Sequence, residues 1–175
     1  MIEVVLFDVD GVLTDGTIWM DGSGEAMKGF HVQDGLAVSL LQLHGLRCGV
    51  LSGKSSRALD ARIEQLRFDV AVTGTLRKRD ALDRIKSDLA VTNEQIAFVG
   101  DDVVDLPLAG LVGRFYAPSD AHPLVRAAAG VVLTRAGGRG VAREAAEHVL
   151  AERGLSLDDM YAPLIETIAS SHVVQ

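Results

Sequence analysis

Short apolar runs alternate with amphipathic stretches along this chain, and that alternation limits its fold more than any other feature. Residues 2–7, 46–51, 68–72 and 95–99 read as strands, with shorter candidates around Phe115 and at 131–133. Apolar side chains recur at helical spacing between them. Leu36, Leu40, Leu41 and Leu43 mark a helix over 33–44; Leu59, Ile63 and Leu66 one over 55–66; Leu82, Ile85 and Leu89 one over 77–89. Residues 141–152 and about 157–169 read as closing helices. The pattern predicts an α/β fold: a doubly wound, mostly parallel sheet with helices on both faces and right-handed crossovers. One segment departs from it. Residues 17–20 and 25–30 flank Asp21-Gly22-Ser23-Gly24, which predicts a β-hairpin inserted at about 16–31. That interval holds a hairpin but no cap domain. With 175 residues, 1–175 read as one domain with a C-terminal tail from about 136 to 175.

In open α/β sheets ligands bind outside the carboxyl ends of the strands. Asp8, Ser52 and the Gly100-Asp101-Asp102 group all follow predicted strands. Asp8 and Asp10 lie two apart on an extended segment, so their carboxylates point the same way. Such a pair repels unless a cation intervenes. With a divalent cation present, Asp8 can bind metal through one oxygen and attack phosphorus with the other, while Asp10 gives and takes the proton. Mg²⁺ retains waters and needs few protein ligands: Asp8, Asp101 and the backbone carbonyl of Asp10 suffice. The plainer reading of Asp-x-Asp-Gly is a turn. Asp105 can hold a metal-bound water or orient Lys78. Asp102 reads equally as a helix N-cap, and Asp105 as a first-turn acid.

Ser52 and Gly53 can offer a hydroxyl and an N–H to phosphate, or Ser52 can cap the following helix. Lys78 can reach the same phosphate, or belong to a solvated Arg77-Lys78-Arg79 run. A cation at a helix N-terminus is mildly unfavourable, which points to a local reason for it. Gly137-Gly138-Arg139-Gly140 with Arg143 can bind an anion, or simply turn the chain. The five histidines are dispersed without metal-ligand spacing and read as structural or exposed. Trp19 and Phe30 either meet a partner or cover the core.

The formal net charge of −7 argues against a nucleic-acid partner, but not against an anionic substrate held by local cations. Cys48 is the single cysteine, so no intrachain disulfide forms, which suits a reducing compartment. The apolar run at 2–7 is too short to span a bilayer. These features predict a soluble cytoplasmic protein without a membrane partner.

Asp8-Val-Asp-Gly-Val-Leu-Thr-Asp-Gly16, Ser52-Gly53, Lys78 and Gly100-Asp-Asp-Val-Val-Asp105 resemble the four ordered motifs of the haloacid dehalogenase superfamily over nearly the whole chain. The resemblance implies a Rossmann-like sheet with the first strand central and the 95–99 strand beside it. Thr14-Asp15-Gly16, the stretch from Phe30 to Asp34-Gly35, and Gly137-Gly-Arg-Gly-Val-Ala-Arg-Glu144 resemble the capless 3-deoxy-D-manno-octulosonate 8-phosphate phosphatase subfamily. That likeness implies Mg²⁺, a small sugar-acid phosphate as substrate, and a homotetramer in which hairpins pack together. It also implies that the tail of one subunit, with Arg143, approaches a neighbour's site. Lys54 stands where many members carry Arg, and with Gln65 it suits a different sugar pocket, such as that for a sialic-acid-type 9-phosphate. The alternatives are a phosphoprotein phosphatase, a receiver-like phospho-acceptor domain and a non-catalytic scaffold of the same fold.

Overall fold

The structure, a computed structural model, describes residues 1–170. His172 and the end of the tail lie outside the described residues. The chain runs β1 (Val4–Phe7), a hairpin of β2 (Trp19–Asp21) and β3 (Gly24–Met27), α1 (Val32–Leu43), β4 (Arg47–Leu51), α2 (Arg57–Leu66), β5 (Val70–Val72) and α3 (Lys78–Leu89). It continues through β6 (Ile96–Val99), α4 (Leu106–Ala109), β7 (Arg114–Ala117), α5 (Pro123–Ala128), β8 (Val131–Val132), α6 (Val141–Ala151) and α7 (Leu157–Ser170).

Six strands form one sheet in the order β5-β4-β1-β6-β7-β8, and every pairing in it is parallel. The chain builds outward from β1 in one direction, then returns to β1 and builds in the other. β1 is therefore central, with β6 beside it, as the family resemblance implies. Strand side chains alternate between two apolar layers. Val5 and Phe7 face one layer with Cys48, Val50, Ala97, Val99 and residues of α1, α2, α6 and α7. Val4 and Leu6 face the other with Ile96, Phe98 and residues of α3, α4 and α5. Burial on both faces explains why β1 and β6 read as continuous apolar runs. This is the doubly wound, Rossmann-like α/β fold.

The hairpin pairs Trp19 with Met27 and Asp21 with Gly24, with an irregularity between Trp19 and Met20. Asp21 Oδ1 closes its tip by accepting from Ser23 N at 2.7 Å. Trp19 stays mostly exposed, whereas Phe30 packs against the core and lies under the Arg62 guanidinium. The four described histidines make structural contacts. His31 and His122 cap α1 and α5, His44 meets Met160 O, and His148 meets the Tyr116 hydroxyl.

Candidate active site

The register of β1 against its neighbours assembles the site. Phe7 pairs with Val50 on one side and Val99 on the other, so Asp8, Ser52 and Asp101 emerge together at the carboxyl end of the sheet. Asp8 N donates to Val99 O at 2.9 Å, which ties the first acidic residue to the strand that carries the second cluster. A wide turn over Val9–Leu13 follows and is closed by Thr14 N to Val9 O at 3.0 Å. Gly11 sits in this turn at φ +87°, and a Cβ there would lie 2.0 Å from Asp101 Oδ2. Glycine is required both for the backbone angle and for the close approach of the two acidic loops.

Lys78 lies at the start of α3 with only 1% of its side chain exposed. Its Nζ is 2.9 Å from Asp8 Oδ2 and 2.5 Å from Asp105 Oδ1. The cation at a helix N-terminus thus has its local reason: two buried carboxylates outweigh the helix dipole. Burial pulls the Lys78 pKa down, but Asp8 and Asp105 more than reverse this, and the net direction is upward. Asp105 Oδ2 also accepts from Asp101 N at 3.1 Å, which fixes the second acidic loop.

One atom each from Asp8, Asp101 and Asp105 lies within 4.8 Å of the others. Burial pushes the Asp8 carboxyl up to about 6, with Asp105 adding to the shift and Lys78 opposing it. Burial and then Asp8 push Asp101 up to about 8. Three carboxylates face one ammonium, so without a further cation this group is a buried excess of negative charge. Asp101 Oδ1 is buried with no hydrogen-bond partner among the described residues. An orphaned carboxylate oxygen beside hard oxygen donors fits Mg²⁺ or another hard divalent ion.

A cleft of about 280 Å³ opens onto this group. Asp8, Asp10, Ser52, Gly53, Lys54, Lys78, Asp101 and Asp102 line it, with Leu76 and Val104 at its apolar wall. A larger cavity of about 530 Å³ lies between β5 and α3, flanked by Arg77, Asp80, Arg84 and Asp88. None of its charged side chains is buried, so it lacks the desolvated groups that chemistry needs.

Several expected residues stand elsewhere. Ser52 does not cap α2: Ser56 does, accepting from Leu59 N at 3.3 Å. Ser52 is instead buried, with its hydroxyl accepting from Lys54 N at 3.2 Å. α2 starts two residues later than its apolar spacing suggests, and this leaves Ser52 free for the cleft. Asp102 does act as an N-cap, with Oδ1 accepting from Val103 N at 2.7 Å. Gln65 accepts from Arg62 at 2.9 Å and does not line the cleft. Arg143 does not line it either. Its Nε donates to Glu147 at 3.1 Å and to the Tyr161 hydroxyl at 2.8 Å. Gly137 packs under the first acidic loop of its own chain, where a Cβ would lie 1.9 Å from Gly11 O.

Sequence reasoning missed Lys28. It follows β3, its side chain is 1% exposed, and its Nζ is 2.5 Å from Asp10 Oδ1. A lone lysine after a hairpin strand carries no periodic signal, and only the folded hairpin brings it back to Asp10. It also missed Asp34. That buried carboxylate accepts from Gly140 N at 3.1 Å and Ala142 N at 2.8 Å, capping α6 from across the molecule.

No family model matches the chain. Among curated proteins, the 3-deoxy-D-manno-octulosonate 8-phosphate phosphatase of Haemophilus influenzae is 41% identical over 155 residues, 89% of this chain and 86% of that protein. Among solved structures, the cobalt-bound form of the Haemophilus influenzae deoxy-D-mannose-octulosonate 8-phosphate phosphatase superimposes with a TM-score of 0.85, covering 87% of this chain and 90% of that one. A Moraxella catarrhalis 3-deoxy-D-manno-octulosonate 8-phosphate phosphatase, in complex with magnesium, phosphate and the sugar KDO, is 31% identical with a TM-score of 0.82, covering 86% of each chain.

Proposed function

The chain belongs to the 3-deoxy-D-manno-octulosonate 8-phosphate phosphatase family of the haloacid dehalogenase superfamily, and on that premise we propose that it hydrolyses this sugar-acid phosphate through an aspartyl-phosphate on Asp8, with Mg²⁺ bound. Membership makes it a phosphatase. The metal, the covalent step and the sugar are our reading. The observation that carries it is the buried group of Asp8, Asp101 and Asp105 against Lys78, with one carboxylate oxygen of Asp101 unpartnered.

Asp8, Asp101 and the backbone carbonyl of Asp10 would hold the ion, while Asp105 serves Lys78. When bound, Mg²⁺ neutralises charge on the transferring phosphoryl group. Lys78 holds Asp8 Oδ2, and the other Asp8 oxygen attacks phosphorus as the ester P–O bond breaks. Asp10 gives its proton to the departing sugar oxygen. A water then attacks the same phosphorus, its proton passes to Asp10, and the acyl P–O bond breaks to free phosphate and Asp8. The Ser52 hydroxyl, the Gly53 N–H and Lys78 bind phosphate oxygens. Lys54 at the cleft rim is our candidate for the sugar-acid end.

The purified chain should release phosphate from 3-deoxy-D-manno-octulosonate 8-phosphate, stop when the cation is chelated and resume when Mg²⁺ is restored. Asp8→Asn should be folded and inactive. Turnover by that variant would overturn the covalent step. Faster turnover of a nine-carbon sialic-acid-type 9-phosphate would reassign the sugar.

The exposed Ile18, Trp19, Met20 and Met27 support hairpin packing in a homotetramer. Within it Arg143 would act on a neighbour's cleft, since in its own chain it turns to α7. Residues 1–175 would form one phosphatase domain. Among the described residues no helix is long and apolar enough to cross a membrane. The single Cys48 supports a cytoplasmic location.

A further inference from the structure

We propose that Lys28 is a positioning residue for the proton-transfer step, fixing the Asp10 carboxylate so that Oδ2 is the oxygen that meets the leaving group. The inference rests on the phosphatase reading above and deepens it. Lys28 belongs to the inserted hairpin, where Trp19, Met20 and Met27 are exposed, yet its own side chain is almost fully buried. Burying an ammonium is costly without compensation. Glu25, also on the hairpin, supplies one carboxylate, with Oε2 at 3.1 Å. That pair alone would neutralise the lysine. The second partner, Asp10 Oδ1 at 2.5 Å, comes from the acidic loop instead. The hairpin therefore reaches the site through the charged Lys28–Asp10 hydrogen bond, with Glu25 also facing Ser56 and the cleft residue Lys54.

The placement matters because Asp10 sits beside Gly11 in a wide turn and lines the open cleft. A carboxylate there can rotate. Pinning Oδ1 limits that rotation, and among the described residues no hydrogen bond reaches Oδ2. Lys28 can donate to Oδ1 whether or not Oδ2 carries the proton, so the same contact serves both halves of the reaction. Holding a proton donor in one geometry ahead of the bond-breaking step is a recognised source of rate.

The test compares two esters that differ in their need for a proton. The alkoxide leaving from 3-deoxy-D-manno-octulosonate 8-phosphate needs one; p-nitrophenolate does not. The readout is kcat/KM with Mg²⁺ present, because it covers only the steps up to release of the alcohol. Lys28→Met should lower kcat/KM about 100-fold on the sugar ester, the low end of the range for acid–base catalysis, and about threefold or less on p-nitrophenyl phosphate. Lys28→Arg should recover most of the difference. In an Asp10→Asn background, Lys28→Met should have no further effect. An equal fall on both esters would assign Lys28 to anchoring the hairpin and overturn the proposal, as would no fall on either. If Lys28→Met does not fold, Lys28→Gln carries the same comparison. Wild-type protein inert on both esters would overturn the phosphatase reading and this inference with it. Active wild type with a leaving-group-independent loss overturns this inference alone.

Discussion

The carboxyl edge of the sheet and the inserted hairpin solve opposite problems. At the edge, charged groups are buried and meet partners from different elements: Asp8 after β1, Lys78 on α3, Asp105 after β6. Parallel pairing of β1 with β4 and β6 fixes their spacing, so the geometry is as rigid as the sheet. The hairpin is two short strands with large apolar residues facing out, held to the site by Lys28. Changes at the two places should therefore register differently. Disturbing the edge should change both fold stability and chemistry. Disturbing the hairpin's outer face should leave the subunit intact and alter association.

The largest effect should come from Lys78→Met. It leaves Asp8 and Asp105 buried without their shared cation, and breaking a buried pair in this way costs about 3–5 kcal/mol. Urea unfolding should show a lower midpoint with an unchanged slope, and turnover should be lost. A loss below about 1 kcal/mol, the scale of exposed ion pairs, would mean that the edge is far more hydrated than its burial indicates.

Next in size is the response to cation and pH. Burial, with neighbouring carboxylates, raises Asp8 from its ordinary 3.8 to about 6 and Asp101 to about 8. The folded state without cation therefore holds more protons than the unfolded chain above pH about 4. Its stability should fall as pH rises, and level off only above pH about 9, once both groups have ionised. Mg²⁺ should oppose that fall, adding about 2.7 kcal/mol at a hundredfold excess over its Kd. Thermal melts from pH 5 to 8, with and without Mg²⁺, measure both. Asp101→Asn should flatten the cation-free slope and remove the Mg²⁺ shift. A rise in cation-free stability with pH would contradict the buried-charge account.

The same contrast explains what the sequence makes legible. β1 and β6 are buried on both faces, so they read as unbroken apolar runs ending in Asp8 and the Asp101 group; β4 starts on the partly exposed Arg47 and ends in the buried run before Ser52. Period and strand ends carry the sheet and most of the cleft. Contacts between distant residues carry no such signal. Asp10 and Lys28 meet across 18 residues, and Asp34 and Ala142 across 108. α4 and α5 are too short for a periodic stripe to distinguish them from loops. Asp34 gives this point a measurable form. It supplies the acceptors that the α6 N-terminus lacks locally, since Gly140 has no side chain to cap with. Asp34→Ala should cost about 1–2 kcal/mol, the scale of a lost cap, and α6 should gain faster amide exchange. No change would mean that the helix end is satisfied by water instead.

The smallest effect on the subunit should come from the hairpin's outer face. Trp19 is 55% exposed and Met20 68%. Replacing both with serine removes little burial within the chain, so unfolding of the separated subunit should shift by no more than about 0.5 kcal/mol. Association is where the change should appear. Exposed large apolar side chains are stabilised by a partner surface, and serine removes that gain without adding a clash. The double variant should elute at a lower native mass than wild type while its circular dichroism is unchanged. An unchanged mass would move the interface off the hairpin. A large drop in subunit stability would mean that the hairpin belongs to the fold as fully as the sheet edge does.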